Sequence, residues 1–337
     1  MNRQPEASGA ARGPRVNRGE LVAVAVAGQI AHPVGRAEAN RIGHDGVPRV
    51  LPATGGIVLN FRIGDPCIGL AGDHIEPGVS LHNNGREIVG PRNGPNTALM
   101  TYACVGNRAH VLNGAATGAT GLVTGKHGGV NHVLIDFAPA VLRRLAIGDR
   151  IQIESIGLGA RLLDYPDVAV HNAAPALLAR WGIVERDGRL LVPATHRLPA
   201  ALMGSGLGRN TVARGDYDIQ LADQAARRRY RLGHLRFGDF VAIVDADTRR
   251  GPSWRSGRVT IGVVVHGDSI VSGHGPGVVA LLTGPAQRLV PVQAPDANLA
   301  AVFNVRPLAP ARDHATLIER SAPRLAPARP RVAALAP

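Results

Sequence analysis

The chain has 337 residues, 45% of them hydrophobic and only 3% aromatic, with 42 Gly and 25 Pro. That excludes a disordered chain and argues against a helical bundle, leaving a β-rich fold whose core is built from Val, Ile, Leu and Ala. The net charge is +13, and the two ends carry more than half of it. No basic helical stripe or interleaved aromatics accompany that charge, so nucleic acid is not expected as a partner.

Residues 1–18 are Arg, Gly, Ala and Pro without an apolar period, and are expected to form a disordered arm. β-branched or apolar runs bounded by Gly, Asn or Asp then predict strands over Glu20–Ala27, Gly56–Arg62, Leu99–Val105, Leu122–Thr124, Val133–Phe137 and Arg150–Ile156. A helix is expected over Ala138–Leu145, with Pro139 near its start and Arg143 and Arg144 in its last turn. A second is expected over Ala174–Trp181, between a cap at Asn172 and a stop at Gly182. Strands resume at Phe240–Asp245, Val259–His266 and Val278–Leu282. Residues 308–337 read as a Pro/Ala/Arg tail with at most a short helix around Ala315–Arg320.

One phrase recurs: Ile63-Gly64-Asp65, Ile147-Gly148-Asp149 and Phe237-Gly238-Asp239. In each, Gly supplies an unusual φ and Asp closes a turn through its side chain. Two such units lead into strands about ninety residues apart. The expected fold is therefore α+β and β-rich, in two β-barrel-like or sandwich-like halves with few short helices, residues 19–163 and 164–307. No apolar run approaches the roughly 18 residues of a membrane span, and no hydrophobic leader opens the sequence, so a cytoplasmic protein without membrane contact is expected. Cys67 and Cys104 form no disulfide framework; buried thiols are the default, and a bridge between them stays open.

Four phrases carry the chemistry. In Gly72–Ser80, Asp73, His74 and Glu76 bring an imidazole between two carboxylates. If extended, that segment turns His74 and Glu76 to one side, as metal ligands or an acid/base pair. The second phrase holds Lys126, the only lysine against 37 arginines, with His127, Gly128, Gly129 and His132. A compact ammonium and two glycine N–H groups suit an anion. His127 and His132 are five apart, a spacing that signals no helical metal site but allows convergence on a loop. The third phrase has Ser205 in Gly204–Gly208, with Asp216 and Asp218 alternating after it. It lacks the strand–helix context of a nucleotide loop or a nucleophile elbow. The fourth sets His266 at the end of a strong strand and His274 between glycines, both placed to face a ligand.

These phrases, with Leu235–Asp247 and Val263–Leu282, resemble a bacterial and archaeal family defined only as a domain of unknown function. The resemblance covers about residues 20–285 and implies an N-terminal and a C-terminal half, without an activity. The reading that results is an enzyme of hydrolase or related acid/base type on a small polar or anionic metabolite. Lys126, His127, His132, His74, Glu76 and Asp73 are its catalytic candidates. Gly128, Gly129, Ser205, Asp216, Asp218, His266 and His274 are its ligand-binding ones. Lys126 is expected to act through its ammonium rather than through folding. A divalent metal is a compatible cofactor. The alternative is a non-catalytic ligand-binding or oligomeric structural protein, and a homo-oligomer is expected on either reading.

Overall fold

The structure, a computed structural model, describes residues 13–33, 40–85, 94–204, 206 and 211–321. Its first half is a closed antiparallel barrel. Strands Val24–Ile30, Arg150–Ser155, Arg108–Val111, Thr120–His127, His132–Asp136 and Gly78–His82 pair in that spatial order, and Gly78–His82 returns to Val24–Ile30. Alternation makes each strand two-sided: in Arg150–Ser155, Ile151 and Ile153 turn inward and Arg150 and Glu154 outward. Inside, Ile30, Val79, Leu81, Val123, Ile135 and Ile153 form one core.

The second half is sandwich-like. A mixed sheet of strands Ala169–Val170, Gly277–Pro285, Ser253–Val264, Phe240–Asp247 and His196–Pro199, with Tyr217–Asp218 added to Gly277–Pro285, packs against a smaller sheet of Val184–Arg186, Arg189–Ala194 and Leu289–Gln293. Gly277–Pro285 is buried almost throughout, which explains its unbroken apolar run. The halves share a core in which Ile63, Val105 and Leu134 of the first meet Phe240, Ile261 and Val265 of the second.

The recurring Ile/Phe-Gly-Asp phrase forms the same turn three times. Gly64, Gly148 and Gly238 take φ of 91°, 89° and 83°. Asp65, Asp149 and Asp239 each accept, on Oδ2, the backbone N–H three residues earlier, at 2.9, 2.9 and 3.0 Å. The first and third turns face each other across the seam: Gly64 N donates to the Phe237 carbonyl and Phe237 N to that of Asp65.

Helices over Pro139–Leu142, Pro175–Arg180 and Leu317–Ser321 lie where they were expected, each shorter by a few residues except the last. The strand expected over Leu99–Val105 is instead mostly the helix Pro95–Tyr102. Pro95 at its first turn presets helical φ, and Leu99 and Met100 bury against the barrel, which overrides a β-branched local composition. Of Gly56–Arg62, only Ile57–Val58 pairs as strand. Both expected arms include ordered stretches: Val16 bridges Leu162, and Arg15 pairs with Asp164. At the other end His314 N donates to Gly233, Glu319 pairs with Arg227, and Ile318 is buried. Cys67 and Cys104 are buried free thiols. Among the described residues, no helix is long and apolar enough to cross a membrane.

Candidate metal centre

Strands Thr120–His127 and His132–Asp136 form a hairpin whose turn passes through Asn131 at φ 62°. His127 and His132 stand directly opposite each other, so both side chains share one face. A four-residue hairpin loop thus accounts for the spacing of five. Glu76 lies between them. His127 Nδ1 is 2.7 Å from its Oε1, and His132 Nδ1 2.9 Å from its Oε2. Gly55 N and Ser80 Oγ also donate to Oε2, at 2.7 and 2.5 Å. Burial opposes the Glu76 charge, but His132 and His127 outweigh it and hold the carboxyl well below its usual range. A carboxylate on Nδ1 fixes the ring and leaves Nε2 of His127 as the nitrogen available to a ligand.

The second half supplies the facing groups. Asp218 pairs in register with Gly277, and Asp216 sits two residues earlier, so alternation brings both carboxylates to one side. Asp216 Oδ1 accepts from Gly128 N at 2.7 Å. His266 follows the strand Ser253–Val264, and its Nδ1 lies 2.9 Å from the Gly267 carbonyl. A carbonyl only accepts, so Nδ1 carries a proton and Nε2 points at the carboxylates, 2.9 Å from Asp216 Oδ2 and 3.5 Å from Asp218 Oδ1. Despite that approach, His266 Nε2 and Asp216 Oδ2 are buried atoms without a hydrogen-bond partner among the described residues.

A protonated His266 forms an ion pair with Asp216 across this gap, and a metal ion would take the place of that proton. Ligands held about 2.0–2.2 Å from one ion lie roughly 3–3.5 Å apart, which matches this spacing. A nitrogen of His127 completes the set: ligand atoms of His127, Asp216 and His266 all fall within 4.8 Å of one another. Gly277 keeps the space clear, since a Cβ there would come within 2.2 Å of both Asp216 Oδ2 and His266 Nε2. The two carboxylates also stabilise positive charge at this point. Burial opposes a charged His266, yet Asp216 and Asp218 outweigh it and raise its pKa well above the usual imidazole range. His127 moves the other way, lowered by burial. Imidazole and carboxylate together suit Zn, Mn, Fe or Co rather than Ca.

Two further histidines border this set. His74 is not in an extended segment; its backbone sits at φ 54°. That conformation aims Nε2 at His274 Nδ1, 3.1 Å away, and His274 Nδ1 lies 3.0 Å from Asp218 Oδ2. Asp73 is held by Ser269 Oγ at 2.6 Å and turns its other oxygen to His74 Nδ1 at 3.3 Å. Next to His274 is a small cavity of about 10 Å³, whose lining includes Gly72, Gln220, Ser269 and Thr316; it has room for about one water.

Asp73, His74, Glu76, His127, His132, Asp216, Asp218, His266 and His274 therefore meet at the seam between the halves. Lys126 does not join them. It is fully buried, one position from His127 and hence on the other face of the strand. Its Nζ donates to Asn172 Oδ1 at 2.8 Å and to the Ala213 carbonyl at 2.6 Å. The expected anion cradle is not formed either, because Gly128 N–H donates to Asp216; Gly129 lies by His127 Nε2. Ser205 lies outside the described residues. The sequence reading missed Ser80, four residues after Glu76, and Gly277, whose Gly-Pro-Gly setting was the available signal.

Two family profiles match the chain, "Domain of unknown function (DUF4438), N-terminal" over residues 40–179 and its C-terminal counterpart over residues 180–303. A solved structure described as "Crystal structure of TM1086" is similar, at 41% identity and a TM-score of 0.80, covering 87% of this chain and 99% of that one. No curated protein matches.

Proposed function

The chain belongs to the DUF4438 family of two-domain proteins, and we propose that it is a divalent-metal-dependent enzyme of hydrolase or related acid/base type. Its substrate on this reading is a small polar or anionic metabolite. The observation that carries it is the convergence of ligand atoms of His127, Asp216 and His266, all buried and within 4.8 Å of one another. His127, Asp216 and His266 hold the ion. Glu76 orients His127, and His132, on the same carboxylate, is the acid/base group. A divalent ion here supplies Lewis acidity and a water acidic enough to ionise near neutral pH.

One observation favours a second reading, a purely structural ion. His127, Asp216 and His266 are all buried and come from both halves, as in a closed structural site. The experiment is elemental analysis of the purified chain, then thermal-shift and turnover screening of small anionic metabolites with and without a chelator. Bound metal with metal-dependent turnover supports the enzyme. Metal that raises the thermal midpoint without any turnover supports the structural reading, and no metal at all removes both. We also take the protein as a cytoplasmic homo-oligomer, checked by light scattering of the purified chain.

A further inference from the structure

His74, Asp218 and His274 form a second trio whose ligand atoms lie within 4.8 Å of one another. It adjoins the first through one residue. Asp218 turns Oδ2 to His274 Nδ1 at 3.0 Å and to His74 Nε2 at 3.6 Å, while its Oδ1 lies 3.5 Å from His266 Nε2. Asp218 thus belongs to the second trio and turns its other oxygen toward His266 of the first, the placement of a carboxylate that bridges a two-metal site, where ions sit roughly 3.5–4 Å apart. The His74 and His266 rings are close enough for this, with centroids 5.1 Å apart.

The second trio repeats the support of the first. Glu76 faces Nδ1 of His127, and Asp73, in the same loop, faces Nδ1 of His74. Each carboxylate is itself anchored, Glu76 by Ser80 and Gly55, Asp73 by Ser269 and the Ile270 N–H. Asp73 Oδ2 is buried and without a hydrogen-bond partner, so its charge is directed at the His74 ring. The left-handed backbone of His74 is strained for a side-chain-bearing residue. Such strain persists where the surroundings hold it, here by the His74 N–H bond to the Asp268 carbonyl.

Charge points the same way. Asp73, Glu76, Asp216 and Asp218 are four buried carboxylates. Among the described residues, the ion pairs of Glu76, Asp216 and Asp218 are all with histidines, and only Asp73 has an arginine, Arg41, at 3.6 Å. Carboxylates and imidazoles converging in a buried pocket are a donor set for divalent cations. The sites are not equivalent: all three residues of the first trio are buried, whereas the His274 side chain is one-third exposed at the cavity.

We infer that the seam binds two divalent cations bridged by Asp218, a tight ion on His127, Asp216 and His266 and an exchangeable one on His74, Asp218 and His274. This rests on the metal-dependent reading above. The test strips the full chain with chelator, reloads it with Mn(II), and measures metal per chain together with the Mn(II) electron paramagnetic resonance spectrum. Two equivalents and a spin-coupled spectrum are expected for the wild type. His274→Ala should fall to one equivalent with an uncoupled signal, its far-ultraviolet dichroism unchanged. One uncoupled equivalent in the wild type overturns the second site and leaves the first reading standing. No bound Mn(II), and none of Zn(II), Co(II) or Fe(II) tried in its place, overturns both. The wild-type measurements decide the matter even if His274→Ala does not fold.

Discussion

Lys126 and His127 are consecutive residues of one strand, both buried, and they serve opposite ends. Lys126 reaches across the seam to Asn172 and the Ala213 carbonyl and holds the second half against the barrel. His127, turned the other way, is oriented by Glu76 toward Asp216 and His266. By composition the lysine is the singular residue, yet its partners are a side-chain amide and a carbonyl, the partners of a structural latch. The histidine, one of 13, faces Asp216 and His266 at the candidate metal centre. What a titratable group does is decided by what faces it.

The sharpest way to break that contrast is at Glu76. Glu76→Ala should abolish the metal uptake proposed above and lower stability by about 3–5 kcal/mol, the usual cost of emptying one side of a buried charged network. Elemental analysis and urea unfolding check it. If the metal stays bound, Glu76 does not orient His127.

Lys126 should declare itself through pH. Burial lowers its pKa from 10.5 to about 8. Below pH 8 the folded and unfolded chains are both protonated there and the residue adds no slope. Between pH 8 and 10.5 the folded chain has released a proton that the unfolded chain keeps, so stability should rise with pH. The gain is about 3 kcal/mol for this group. It appears as the difference between wild type and Lys126→Met in urea unfolding at pH 7.5 and pH 10.5. A flat difference would mean the ammonium is not buried.

Asn172→Ala takes one acceptor from that ammonium and leaves the Val212 and Ala280 carbonyls without their amide donor. It should cost about 1–3 kcal/mol while metal content stays at the wild-type level. Loss of metal in step with stability would mean that latch and centre are one unit. The smallest effect should come from ending the chain after residue 312, which removes the Arg227–Glu319 pair and buried Ile318. A fall of about 1–2 kcal/mol is expected, or a few degrees in midpoint for a protein of this size. The same deletion removes Thr316 and Ile318 from the cavity wall, so exchange of the outer ion proposed above should quicken.

The local features were legible because they depend on neighbours in sequence. The three Gly-Asp turns, the helix opened by Pro139, and the alternation of Asp216 with Asp218 follow from backbone preferences, whereas the cap expected at Asn172 is not formed: Ala174 precedes the helix and Asn172 bonds the Val212 and Ala280 carbonyls instead. The phrases around His74, His127, Asp216 and His266 also stood out. Their meeting point did not, because it depends on how one half docks on the other. The pairing of His127 with His132 was hidden because a hairpin, unlike a helix, sets no fixed ligand spacing. Lys126 misled for a related reason: rarity in composition says nothing of the face on which a strand residue lands.

The seam has a consequence for assembly. Residues 40–179 contribute His74, Glu76, His127 and His132, and residues 180–303 contribute Asp216, Asp218, His266 and His274. Neither fragment alone carries a complete trio. A chain cut near residue 180 would thus behave as a complementation pair, silent when its pieces are apart and restored on mixing, with ion uptake reporting their reunion.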